Sequence, residues 1–127
     1  MDSPVLDSSA ILAVIFDEPG SDDVAPLLQG ALASTVNLTE VYTRLLLRGV
    51  PPDLAWNRIL RMGFEVCPFY EPQARIAAEM IAHTRPLGLS LGDRACLALA
   101  IERKATVYTT DRAWQDLNLE IQIAVIR

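Results

Sequence analysis

Residues 3–10 read Ser3-Pro4-Val5-Leu6-Asp7-Ser8-Ser9-Ala10, and the rest of the chain is organised around them. Val5 and Leu6 read as the end of a short buried strand. Asp7 falls at its carboxyl end, and Ser8 or Ser9 is the expected cap of the helix that starts at once. A carboxylate in that place is held by the sheet and faces the crevice where open α/β sheets bind ligands. Its charge is costly there unless something cationic answers it. Three later acids, Glu40, Asp93 and Asp111, occur in settings that bring them to the same crevice.

Downstream of this stretch, residues 9–16 are apolar on most sides, as in a helix packed on a sheet, and Pro19-Gly20 stops them. Ser21 is the expected cap of a short second helix, with Asp22 and Asp23 at the positive end of its dipole and Gly30 closing it. Residues 31–36 read as a second strand. Asn37-Leu38-Thr39-Glu40 then has the pattern of an N-cap followed three residues later by an acid, which puts Glu40 in the first turn of a helix ending at Gly49. Pro51-Pro52-Asp53 opens another helix, closed by Gly63, and the two form a hairpin carrying Arg44, Arg48, Arg58 and Arg61. A third strand spans 64–69. A helix over 72–83 is expected to bury Ile76, Met80 and Ile81. Ser90-Leu91-Gly92-Asp93 again pairs an N-cap with an acid at the third helical position. Strand four spans 105–109, Asp111 lies in the turn after it, and a last strand covers 121–126. Strands alternating with helices predict an α/β fold, a mostly parallel sheet of about five strands with helices on both faces, joined by right-handed crossovers.

The 127 residues amount to one domain, and 51% apolar residues suffice for a core. The net charge of −5 excludes a uniformly basic nucleic-acid footprint. The charge is uneven: residues 1–36 hold acids and no Lys or Arg, whereas 37–63 hold four arginines against Glu40 and Asp53. No stretch is long and apolar enough to span a membrane. Cys67 and Cys96, with no secretory leader pattern, predict a cytoplasmic chain with two reduced, buried thiols rather than a disulfide.

Asp7, Glu40, Asp93 and Asp111 each fall at a strand's carboxyl end or near a helix N-terminus, so all four can face one edge of the sheet. Several carboxylates without lysines among them repel unless a cation is bound. Hard oxygen donors suit Mg2+ or Mn2+, and such a site activates water and holds a phosphodiester for in-line attack. Each acid also has a local alternative: Glu40 and Asp93 as capping acids, Asp111 as a turn residue. A haloacid-dehalogenase-like phosphatase wants a second Asp two residues after the first, where Ser9 stands. A phospho-receiver wants a late Lys at a strand end, and Lys104 precedes its strand.

Four segments carry a family resemblance: Val5-Leu6-Asp7-Ser8-Ser9-Ala10, Asn37-Leu38-Thr39-Glu40, Leu89-Ser90-Leu91-Gly92-Asp93-Arg94-Ala95-Cys96, and Val107-Tyr108-Thr109-Thr110-Asp111-Arg112-Ala113-Trp114. In order and across the whole chain they resemble the motifs of PIN-domain ribonucleases, the VapC toxins of bacterial toxin–antitoxin pairs above all. The resemblance implies a single α/β/α domain over 1–127 and a Mg2+- or Mn2+-dependent endoribonuclease acting on tRNA or other structured RNA. It also implies a homodimer and a VapB-like antitoxin whose C-terminal segment fills the groove, with DNA reached only through that antitoxin. Position by position, Asp7, Glu40, Asp93 and Asp111 match the family's acids. Thr109 matches a supporting hydroxyl, Ser8 the small polar residue after the first Asp, and Asn37 the polar residue opening the Glu helix. A catalytically silent binding module acting through its antitoxin and operator is the alternative function.

The arginines are a separate matter. Arg44 and Arg48, with Arg58 and Arg61, are candidates for flanking phosphates, or form an ordinary solvated helix face. Arg94 and Arg112 each follow a site acid and are candidate contacts to RNA or to antitoxin carboxylates. His83, the single histidine, leaves a histidine-based ribonuclease mechanism without a partner. Trp114 is expected in the core, and Trp56 on the hairpin at a partner contact or in packing.

Overall fold

The protein is described by a computed structural model covering residues 3–126. The elements are β1 (Val5–Leu6), α1 (Ser8–Ile15), α2 (Ser21–Val24), β2 (Leu32–Ser34), α3 (Thr35–Leu47) and α4 (Pro52–Leu60). There follow β3 (Glu65–Cys67), α5 (Glu71–Glu79), α6 (Ile81–Thr84), α7 (Leu91–Arg103), β4 (Val107–Thr109) and β5 (Ile123–Val125). Short 3-10 turns occupy Ala25–Leu27, Arg85–Leu87 and Arg112–Asp116. Among the described residues the five strands make one sheet, ordered β3-β2-β1-β4-β5, with every pairing parallel.

Alternation along the strands separates two cores. Val5, Leu32 and Val107 face one side, where they meet Ala77 and Met80 of the α5 region, the apolar run of α7 and the buried Trp114. Leu6, Ala33 and Tyr108 face the other, against α1, Val41 and Leu45 of α3, and Ala55 and Ile59 of α4. Helices therefore cover both faces, as parallel connections require, and the α/β/α expectation holds. Cys67 and Cys96 are both buried and free. Among the described residues no helix is long and apolar enough to cross a membrane.

The strand order places the site. From β1 the chain adds β2 and β3 outward on one side, then returns to add β4 and β5 on the other. The switch point lies between β1 and β4, and a crevice opens there at the strands' carboxyl ends. Asp7 follows β1 and Asp111 follows β4, so the two stand on either side of that opening.

Several expected boundaries move, each because a side chain prefers another partner. The strands are two or three residues long, because Asp7 and Ser34 leave the sheet at once to cap the next helix. Ser21 is not a cap: Gly20 holds that position with φ 98°, and no side chain bonds the helix start. The helix expected over 72–83 breaks at Met80 into α5 and α6. Its buried stripe is Gln73, Ala77, Met80 and Thr84, and Ile81 is exposed. Gln73 is buried, with its Nε2 donating to Glu102 of α7 at 2.9 Å and its Oε1 without a partner among the described residues.

Candidate active site

Asp7 is the N-cap of α1; neither Ser8 nor Ser9 is. Its side chain is buried and fully engaged. Oδ1 accepts from the Ala10 amide at 2.8 Å and from Ser9 Oγ at 2.7 Å, and Oδ2 accepts from Thr109 Oγ1 at 2.6 Å. Thr109, at the end of β4, also accepts from the Asp111 amide at 3.0 Å. Ser9 Oγ accepts from the Thr110 amide at 3.0 Å. One hydroxyl from each side of the crevice thus stitches the ends of β1 and β4 together across the carboxylate. The reading of Thr109 as a supporting hydroxyl corresponds to a direct bond to Asp7. Ser9 plays an equal part that went unassigned in the sequence, because its position suggested a cap. Burial dominates these hydrogen bonds and pushes Asp7 up to about 6.

Glu40 arrives differently from expectation. Ser34 caps α3, with its hydroxyl accepting from the Val36 amide at 3.2 Å. Asn37 is therefore inside the first turn and Glu40 in the second. Freed from capping, Asn37 is buried, and its Nδ2 faces Glu40 Oε1 at 3.0 Å, Ser8 Oγ at 3.1 Å and the Gly92 carbonyl at 3.1 Å. Ser8 Oγ donates to the same Glu40 oxygen. Three elements, α1, α3 and α7, meet through this one amide.

Asp93 sits where the sequence pattern puts it. Ser90 Oγ accepts from the Asp93 amide at 3.2 Å, and Asp93 Oδ2 accepts from the Ser90 amide at 2.9 Å, a complete capping box. Asp111 caps the turn Arg112–Asp116 by accepting from the Ala113 amide at 3.0 Å. The local alternatives for these two acids are thus realised, and for Glu40 the capping alternative is not. Local devices do not account for the shared field. Burial raises the Asp93 pKa, and the charges of Glu40 and Asp111 raise it further, while Asp93 in turn raises Asp7. Cys96 lies under the cluster; burial and the charges of Asp7, Asp93 and Glu40 push its thiol well above the usual range, so it stays protonated.

Among the described residues no ion pair reaches any of the four acids; the one present is Arg75–Glu79, exposed on α5. Nor, among those residues, do three Asp, Glu, His or Cys side chains enclose an ion-sized space. Asp93 is turned back onto Ser90 and Glu40 onto Ser8 and Asn37. The donor set nevertheless suits a hard divalent cation: carboxylate oxygens from four elements around one crevice, with no competing lysine.

The arginines divide. Arg44 is exposed, one helical turn beyond Glu40 and so on the same face. Arg48 stacks over the Phe16 ring at 4.4 Å. Arg112 is exposed and lines an open cleft with Ser9, Thr110 and Asp111. Arg94 is committed elsewhere: Nη1 donates to the Ala77 carbonyl at 3.0 Å, tying α7 to α5. Trp114 is buried as expected, and Trp56 meets Tyr42 edge-on, with centroids 5.2 Å apart, at the exposed side of the hairpin.

Comparison with known proteins agrees with this architecture. The PIN domain family matches residues 5–119. No curated protein matches the sequence. VapBC2 from Rickettsia felis, solved bound to a DNA fragment from its promoter, superposes with a TM-score of 0.75 at 15% identity, covering 98% of both chains. DNA-bound VapBC from Salmonella typhimurium superposes with a TM-score of 0.75 at 17% identity, again over 98% of both. FitAcB from Neisseria gonorrhoeae gives 0.69 at 24% identity, over 94% of this chain and 95% of that one. The match over nearly the whole chain, on the fold and site geometry described above, makes this protein a member of the PIN-domain family.

Proposed function

We propose that the protein is a metal-dependent endoribonuclease, a VapC-like toxin held in check by a cognate antitoxin. The observation that carries this reading is Asp7. A carboxylate buried at the sheet's switch point, held by three hydrogen bonds and, among the described residues, paired with no cation, is costly for folding alone. Its cost is explained if a divalent cation answers it and the other three acids. Asp7, Glu40, Asp93 and Asp111 would hold Mg2+ or Mn2+, which supplies Lewis acidity and an acidified water for in-line attack on a phosphodiester.

The chain's own residues supply the rest. Thr109 and Ser9 orient both oxygens of Asp7, so the carboxylate is presented in one rotamer without reorganisation. Ser8 and Asn37 do the same for Glu40. Arg112 at the cleft and Arg44 beside Glu40 are placed to meet the phosphates flanking the scissile bond. The RNA is tRNA or another structured RNA. The remaining partners are a VapB-like antitoxin and a second copy of the chain, in the cytoplasm, where free Cys67 and Cys96 stay reduced.

A binding module without turnover is the second reading; the capped, turned-back Asp93 favours it. Cleavage of a total tRNA pool with Mg2+, with Mn2+ and with EDTA, beside Asp93→Asn, separates the two. The carboxamide oxygen introduced by Asp93→Asn can still accept from the Ser90 amide, so the variant folds, and loss of activity of at least about a hundredfold is expected. Discrete metal-dependent fragments from the wild type alone support the nuclease. Absence of cleavage across RNA classes by antitoxin-free protein transfers the reading to the binding module.

A further inference from the structure

Gly92 has a glycine's freedom without using it. The other described glycines, Gly20, Gly30, Gly49, Gly63 and Gly88, have positive φ, where a side chain is strained; Gly92 has none. It lies at the second position of α7, in ordinary helical backbone, where alanine is the better residue. What it has instead is a neighbour. A Cβ built on Gly92 would clash with the carboxylate of Glu40, closer to its Cδ and both oxygens than side-chain contacts allow. The Gly92 carbonyl accepts from Asn37 Nδ2 at 3.1 Å, and the same amide faces Glu40 Oε1 at 3.0 Å.

We propose that Gly92 is a positioning residue: its bare Cα is the third wall of a notch, with Asn37 and Ser8, that fixes the Glu40 carboxylate against the start of α7. Glu40 is otherwise an exposed side chain on the second turn of a helix, with three side-chain torsions free to wander. The notch holds it one residue away in sequence from where Asp93 enters, so the acids of α3 and α7 keep a set separation. Its bearing on a bound cation rests on the function proposed above; the notch itself does not.

The test keeps those two apart. Melting temperatures in EDTA are measured for wild type, Gly92→Ala, Glu40→Ala and the double variant. Where the carboxylate is present, a new methyl evicts it from Asn37 and Ser8; where it is absent, the methyl only improves the helix. Gly92→Ala is therefore expected to be more favourable in the Glu40→Ala background by about 3 °C or more. Additive shifts overturn the proposal. Mn2+ affinity, read by calorimetry, is then expected to fall about tenfold in Gly92→Ala while the fold, by circular dichroism, is unchanged. Mn2+ affinity unmoved by Glu40→Ala, with the melting coupling present, supports the notch and instead removes Glu40 from the cation site. Mn2+ affinity lost in Glu40→Ala but kept in Gly92→Ala overturns the positioning role.

Discussion

Asp7 illustrates how one residue couples stability to chemistry. Its carboxyl titrates near 6 in the folded protein against 3.8 in an open chain, because burial outweighs its hydrogen bonds. Between those two values the native state holds a proton that the unfolded state has released. Stability of the metal-free protein therefore falls as pH rises through this window, and is recovered on acidification. The free-energy equivalent is about 2 kcal/mol at pH 8 relative to pH 4. Asp7→Asn should remove this dependence and, without metal, make the protein more stable than wild type at pH 8. The Thr109 hydroxyl can turn to accept one hydrogen bond from the new amide. Denaturant titrations of both proteins in EDTA at pH 4.5 to 8 check it; parallel pH profiles would show that Asp7 is not the group responsible.

At the scale of the element, α3 and α7 differ in how they deliver their acids. In α7 the local pattern is the structure: the capping box of Ser90 and Asp93 is read directly from the sequence and found intact. Ser90→Ala should cost about 1 kcal/mol of stability, measured by urea unfolding, through loss of the cap to the Asp93 amide. In α3 the same pattern misleads. Ser34 starts the helix three residues earlier, and Asn37 turns inward to bind across to α7. Two polar residues three apart were equally able to cap, and only the packing of α7 against α3 gave one of them other work. The arginines of the hairpin follow the same logic. Arg48 finds the Phe16 ring, while Arg44 is exposed one helical turn beyond Glu40. Arg44→Ala should weaken RNA binding and reduce the slope of log K against log salt by about one phosphate contact. An unchanged slope in filter binding between 50 and 200 mM salt would return Arg44 to a solvated helix face.

For the molecule as a whole, four acids of one sign around a crevice raise one another's cost of ionisation, and under the function proposed above a divalent cation would relieve it. Saturating Mn2+ should raise the unfolding free energy by about 2.7 kcal/mol at a hundred times its dissociation constant. The gain should be larger at pH 8 than at pH 5, because at the lower pH protons already neutralise Asp7 and compete for it. Thermal melts with and without Mn2+ at the two pH values test this; a gain independent of pH would separate the cation from Asp7. The topology explains why all this gathers at one edge. With β1 central and the chain adding strands to either side, the ends of β1 and β4 open at the switch point, and parallel pairing sends every strand's carboxyl end the same way.

The alternation of short apolar runs with helical segments determined the α/β class and the parallel sheet, and singled out the four acids as candidates. Each of these rests on local composition and on the few ways a parallel sheet can be connected. The roles of four residues belonged to the tertiary structure alone. Gln73 is buried, with its Nε2 donating to Glu102 of another helix. Arg94 is lost to the crevice because the Ala77 carbonyl takes it. Ser9 and Gly92 matter through Thr110, 101 residues away, and through Glu40. Periodicity and caps report what a residue prefers among its neighbours in sequence. Which polar group is answered, and which space is left open for another side chain, depends on partners that only the packed fold brings within reach.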